Sequence, residues 1–188
     1  FSFDGTKFSF QSTREDLKCD QIYTMKTDGS GQQLISTGKG RTTCAYYLPD
    51  NKTILFASTH LADINCPPNP DFSKGYVWAL YDSYDIFTAD ENGNILNQLT
   101  TEKGYDAEAT ISPIGDRIVF TSTRNGDIDI YTMNLDGSDV RQITDEPGYD
   151  GGPFFSYDGT KIIYRRTTFL NEDEKTEYKN ILSQNLIK

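Results

Sequence analysis

The chain has 188 residues and a formal net charge of −10, from 28 acidic and 18 basic side chains. No cluster of Lys and Arg could neutralise a phosphate backbone, which argues against nucleic acid as a partner, and no run of eighteen apolar residues could form a membrane-spanning helix. Aromatic residues make up 13% of the chain, twelve Tyr and eleven Phe among them; with frequent Gly, Asn and Asp, this favours short strands joined by tight turns.

One repeat runs along the chain. Residues 99–120 lie over residues 143–164 at a period of 44, and the same frame catches residues 1 and 47, so repeats start at 1, 47, 111 and 155. Phe1 already stands inside a repeat, and the chain is expected to be a trimmed piece of a longer one. Within a repeat, period-two alternation marks strands such as Arg117–Ser122 and residues 129–135 and 140–144.

In chain order, Asp4-Gly5, Gly115 and Asp158-Gly159 are predicted to turn the chain between the first and second strands of a unit. Asp28-Gly29, Asn92-Gly93 and Asp136-Gly137 are predicted as two-residue hairpin turns between the third and fourth, where positive φ is required. The second repeat carries an insertion within residues 59–83. After Asn171 a helix is predicted over 171–187, with Tyr178, Ile181, Leu182, Leu186 and Ile187 on one stripe and Asn171 and Glu174 as a reciprocal cap.

Four short strands per repeat describe a propeller blade. The stretch from Ser112 to Ser138, S-P-x-G-x-x-I-V-F-T-S-T-R-x-G-D-x-D-I-Y-x-M-N-x-D-G-S, resembles the TolB-like β-propeller repeat, which also builds propellers of prolyl oligopeptidase and dipeptidyl peptidase relatives and of oligogalacturonate lyases. The resemblance covers the chain in four copies. It implies an all-β fold: three complete four-stranded blades and the start of a fourth, one partial propeller over 1–188, drawn from a ring of six or seven blades.

The resemblance further implies a non-enzymatic cell-envelope scaffold that binds a protein or peptide, with a glycan as a further partner. Its location would be periplasmic or extracellular, lipoprotein anchoring being one mode of attachment. The alternatives are a substrate-gating propeller of a secreted serine peptidase and a carbohydrate-active propeller. No G-x-S-x-G occurs, and His60 is the one histidine, without a nucleophile at recognisable spacing, so no catalytic residue is expected. Three cysteines without C-x-x-C spacing cannot build a zinc site with that single histidine, and no metal or cofactor is expected.

Loops from strand two to three and from strand four to the next strand one open on the same face of a propeller. That rim gathers Cys19, Cys66 and the start of the strand bearing Cys44. Either three thiols stay separate or Cys66 forms a disulfide, with Cys44 ahead of Cys19 as its partner. The same rim carries Arg41, Trp78, Tyr105, Asp106, Glu108, Tyr149 and Asp150. These residues read either as loop anchors, the aspartates accepting backbone N–H bonds, or as a partner-binding surface in which Tyr supplies rigid amphipathic area.

Overall fold

The structure is a computed structural model that describes residues 1–14 and 16–188, the Lys74 side chain excepted. Antiparallel pairing builds four sheets in succession. The first orders β1 (Lys7–Ser12), β2 (Gln21–Lys26) and β3 (Gln33–Leu34). The second orders β4 (Thr42–Tyr47), β5 (Ile54–Ser58), β7 (Asp85–Ala89) and β8 (Ile95–Gln98), with the short β6 (Trp78–Ala79) inside the insertion between β5 and β7. The third orders β9 (Asp106–Ile111), β10 (Arg117–Ser122), β11 (Asp129–Asn134) and β12 (Arg141–Gln142); the fourth pairs β13 (Asp150–Phe155) with β14 (Ile162–Arg166).

Two sheets therefore have four strands, not the three expected. The first has three, and Phe1, Ser2 and Phe3, before the Asp4-Gly5 turn, form no strand. The repeat starts at 47, 111 and 155 are the last residues of β4, β9 and β13, so the sequence frame divides those three sheets after their first strand.

Alternation explains the stacking. Side chains of period two on both faces of a strand leave every sheet with two apolar surfaces to cover. Ile22 and Ile35 of the first sheet pack on Tyr47, Ile54, Phe56 and Phe87 of the second. The second sheet's other face, with Leu55 and Ile86, meets Ala109, Ile118, Phe120 and Met133 of the third. Ile86, Ile118 and Phe120 are fully buried, and burial of such a side chain is worth roughly 1.5–3 kcal/mol.

Positive φ occurs where the turns require it, on loops one residue longer than expected. Asn134 N–H donates to Ser138 O and Gly137 N–H to Asn134 O, so residues 135–137 form a three-residue loop with glycine in the left-handed bulge position. Gly137 has φ 84°, and a Cβ there would stand 2.7 Å from the Leu99 carbonyl oxygen, so only glycine fits.

After β14 comes α1 (Glu172–Leu182), shorter than the predicted 171–187. Asn171 caps it by accepting from Glu174 N–H at 3.0 Å. The return bond of Glu174 goes to Leu170 N–H rather than to Asn171 N–H. The helix ends because tertiary pairing wins over its last turn. Asn185 adopts φ 55°, and Leu186–Ile187 becomes a strand, β15, paired with β6 across the insertion.

Candidate binding face

The first strands of the second, third and fourth sheets, β4, β9 and β13, are each broken at one position by a left-handed bulge: Cys44 (φ 54°), Glu108 (φ 55°) and Gly152 (φ 61°). The bulge turns these residues toward a common axis, and each takes part in the next sheet's geometry. Gln11 Oε1 accepts from Cys44 N–H at 3.4 Å. The Glu108 amide meets the Cys44 thiol, and Glu108 Oε2 accepts from Gly152 N–H at 2.7 Å. Side chain to backbone, the contacts step across the four inner edges. Burial pushes the Cys44 thiol above its ordinary range.

Two residues before each of these strands begins, a second repeat position supplies the rim. Gly40, Gly104 and Gly148 lie so close to Thr59, Thr123 and Thr167 that a Cβ would approach within 2.7–2.8 Å. The following residues are Arg41, Tyr105 and Tyr149. Thr59 Oγ1 accepts from Arg41 N–H at 2.9 Å and Thr123 Oγ1 from Tyr105 N–H at 2.8 Å. The tight glycine approach thus fixes three equivalent side chains at the mouth of the axial groove.

The insertion covers this mouth. Cys66 is bonded to Cys19, with Cα atoms 5.6 Å apart, so the expected partner Cys44 is corrected to Cys19. The reason is the bulge: it turns Cys44 toward the groove beside Thr43 and Glu108, while Cys19 stays in the outer loop under the insertion. At its other end the insertion is held by the β6–β15 pair and by Leu80 N–H donating to Asn185 O at 2.8 Å. Ile187 packs with Leu80, Tyr84 and Tyr105.

Beneath the insertion lies a cleft of about 520 Å³ bordered by Arg41, Cys44, Tyr76, Trp78, Tyr105 and Glu108. A second of about 290 Å³ adjoins it, sharing Tyr76, Trp78, Tyr105 and Glu108 and adding Tyr149 and Arg165. The rings stand edge to face: Tyr76 against Trp78 at 5.6 Å and 86°, Tyr84 against Tyr105 at 5.7 Å and 82°. Burial, with Glu108 nearby, raises the phenols of Tyr105 and Tyr149, so both remain neutral.

Of the rim residues expected, Arg41, Trp78, Tyr105, Glu108 and Tyr149 converge here, though Tyr105 is only 9% exposed while Trp78 is 59% exposed. Asp106 and Asp150 do not reach the rim. Both are buried between sheets, since each follows its tyrosine along the strand and points the opposite way. Nor does Asp106 anchor backbone N–H groups: both its oxygens accept from Arg124 Nη2, at 3.1 and 3.0 Å. Phe72, Gln11 and Arg165 were not foreseen. Cys44 as a groove residue was legible in principle, since 44, 108 and 152 share one repeat position. Among the described residues, no group of three His, Cys, Asp or Glu side chains is placed to hold a metal ion.

Successive four-stranded meanders, packed face to face with their first strands along an axial groove, define a β-propeller architecture. A family model described as the TolB beta propeller domain matches residues 69–186; the chain belongs to that family. Among solved structures it is similar to a protein described as TolB from Agrobacterium tumefaciens (TM-score 0.66, 23% identity, 88% of this chain and 52% of that one) and to TolB from Acinetobacter baumannii (0.65, 22%, 87% and 36%). It is also similar to hydrazine synthase of Kuenenia stuttgartiensis (0.62, 18%, 90% and 29%). The chain thus spans about half the length of the Agrobacterium protein and less of the other two. A search of curated protein sequences finds no match.

Proposed function

We propose that this chain is part of a non-enzymatic cell-envelope propeller, of six or seven blades in the whole protein, that binds a protein partner through the face carrying its two insertions. The repeats starting at 1, 47, 111 and 155 are its partial propeller domain. The observation that carries this reading is the exposure of Phe72 (59%), Tyr76 (73%) and Trp78 (59%) on one loop, fixed at one end by a disulfide and at the other by strand pairing. Large rings held rigid in advance lose little entropy on association and supply the anchors of protein interfaces. The family's TolB relatives and the disulfide both support a periplasmic or extracellular setting, where such bonds persist.

The test is affinity capture from an envelope extract with the intact protein, with Tyr76→Ala/Trp78→Ala, and with Tyr157→Ala. Tyr157 is 95% exposed in a turn of the opposite face. A species captured by the parent protein and by Tyr157→Ala, and lost with the double variant, is the expected result; capture indifferent to Tyr76 and Trp78 contradicts it.

A further inference from the structure

We infer that the cleft under the insertion takes an extended peptide segment carrying an acidic side chain, whose carboxylate seats on Arg41; this rests on the reading of the insertion-bearing face as a binding face. Arg41 occupies the repeat position where the next two sheets place Tyr105 and Tyr149. The residue after it is Thr42, where those sheets have Asp106 and Asp150. The substitution pattern therefore puts a guanidinium at the mouth where the other sheets place a phenol; the Asp positions that follow face the sheet interfaces and do not bear on the mouth.

Arg41 is the one cationic side chain bordering the larger cleft among the described residues, and it forms no ion pair with any of them, in a chain of net charge −10. Of its five side-chain N–H donors, those on Nη2 meet Asn69 Oδ1 at 3.2 Å and Cys66 Sγ at 3.8 Å. Nε is buried without an acceptor. That burial closes Nε to a ligand, and the guanidinium carbon lies 5.8 Å from the centre of the Tyr81 ring; the Nη1 donors, which meet no acceptor among the described residues and are not buried, are the ones a ligand carboxylate can engage by a charge-assisted hydrogen bond.

The carboxylates that border the cleft are already engaged. Glu108 accepts from Thr121 Oγ1 and Gly152 N–H, both at 2.7 Å, and from Tyr149. Asp20 accepts from Thr13 Oγ1 at 2.7 Å and from Gln11 at 3.4 Å.

Two features point to a peptide passing through. The cleft shares Gln11, Cys44 and Glu108 with a groove of about 450 Å³ that continues along the axis past Tyr46 and Phe154. The two exposed rings at the cleft, Tyr76 and Trp78, stand edge to face at 86° and so offer no single flat platform for a sugar ring.

Trp78 is the chain's one tryptophan and borders the cleft, so its fluorescence reports binding there. The probes are acetylated, amidated tripeptides with Glu at the centre and Leu, Phe or Tyr on either side, each beside its Gln twin, titrated into the disulfide-bonded protein. At least one Glu peptide is expected to bind tenfold or more tightly than its twin. Arg41→Gln should bring that ratio near one, Arg41→Lys should leave an intermediate ratio, and Arg141→Gln, which removes an equal charge elsewhere, should leave it unchanged.

Equal binding of every Glu and Gln pair, or a ratio that survives Arg41→Gln, overturns the inference. So does a Gln peptide with a free terminal carboxylate that binds as well as the Glu peptide, or trigalacturonate binding where no peptide binds. If the carboxylate assignment fails while Tyr76→Ala/Trp78→Ala still abolishes capture, only this inference falls; if capture is indifferent to those rings, the binding-face reading falls with it.

Discussion

Glycines with the same φ do not carry the same burden. Gly29 has φ 86° with open space around its missing Cβ, whereas Gly137, at φ 84°, would drive a Cβ to 2.7 Å from the Leu99 oxygen. Gly29→Ala is expected to lower unfolding stability by about 1 kcal/mol, the cost of a left-handed alanine. Gly137→Val adds a clash with fixed backbone and should cost about 2–4 kcal/mol. Urea titration of the two variants checks the ordering; equal losses would contradict it.

A charge at the same scale gives a pH dependence. Asp85 begins β7, where its Oδ1 accepts from Thr100 and its Oδ2 from Gln98. Burial, then the nearby Asp106, pushes its carboxyl up to about 6 from 3.8. The folded state therefore holds a proton that the unfolded state has released between these values, so stability drops as pH rises through the window of about 4 to about 6. Asp129 and Asp150, buried in the next interface, shift the same way. Relative to Asp85→Asn, the parent protein should lose stability across that window and hold a constant offset above about pH 7; parallel urea midpoints from pH 4 to 7 would refute it. The Tyr-Asp pairs were visible in sequence as repeated positions, but their roles were not. Adjacent strand residues face opposite ways, and only the packed sheets decide which of the two meets the groove.

At the scale of elements, the insertion owes its position to two ties. The Cys19–Cys66 bond closes a separation of 47 residues, and by loop entropy its removal should cost up to about 4 kcal/mol. Thermal melts of Cys19→Ser/Cys66→Ser against Cys44→Ser should show a large drop for the first and a small one for the second; the reverse order would contradict the pairing. Ile187→Asp places a charge at a buried site beside Leu80 and Tyr84. Amide exchange at Leu80 should then accelerate by tenfold or more while the amide of Phe120, in the third sheet, stays protected; unchanged protection at Leu80 would show that β15 does not hold the insertion.

The strands, the insertion and the helix start were legible because alternation, Asp-Gly turns and an Asn cap are local signals. The helix end and the disulfide partner were not. A two-residue strand exists only through its partner, and the spacing of the three cysteines does not show which way the one-residue bulge turns Cys44, although its repeat position is shared with Glu108 and Gly152.

For the whole molecule, stacked sheets supply rigidity and the loops of one end supply variation. The same glycine-threonine approach fixes Arg41 and Tyr105 in successive sheets, while the insertions add the exposed rings that the repeat lacks. Beyond β14 the fourth sheet keeps an uncovered apolar face, with Ile163 at 66% and Phe154 at 49% exposure, so stacking continues to be available there. Function, on this account, belongs to the end where the insertions meet. Hydrogen exchange of the protein alone and with its captured partner measures this directly. Added protection confined to residues 38–44, 69–84, 99–108 and 143–150 is the expected result, and protection centred on the opposite turns at 48–53, 112–116 and 156–161 would contradict it.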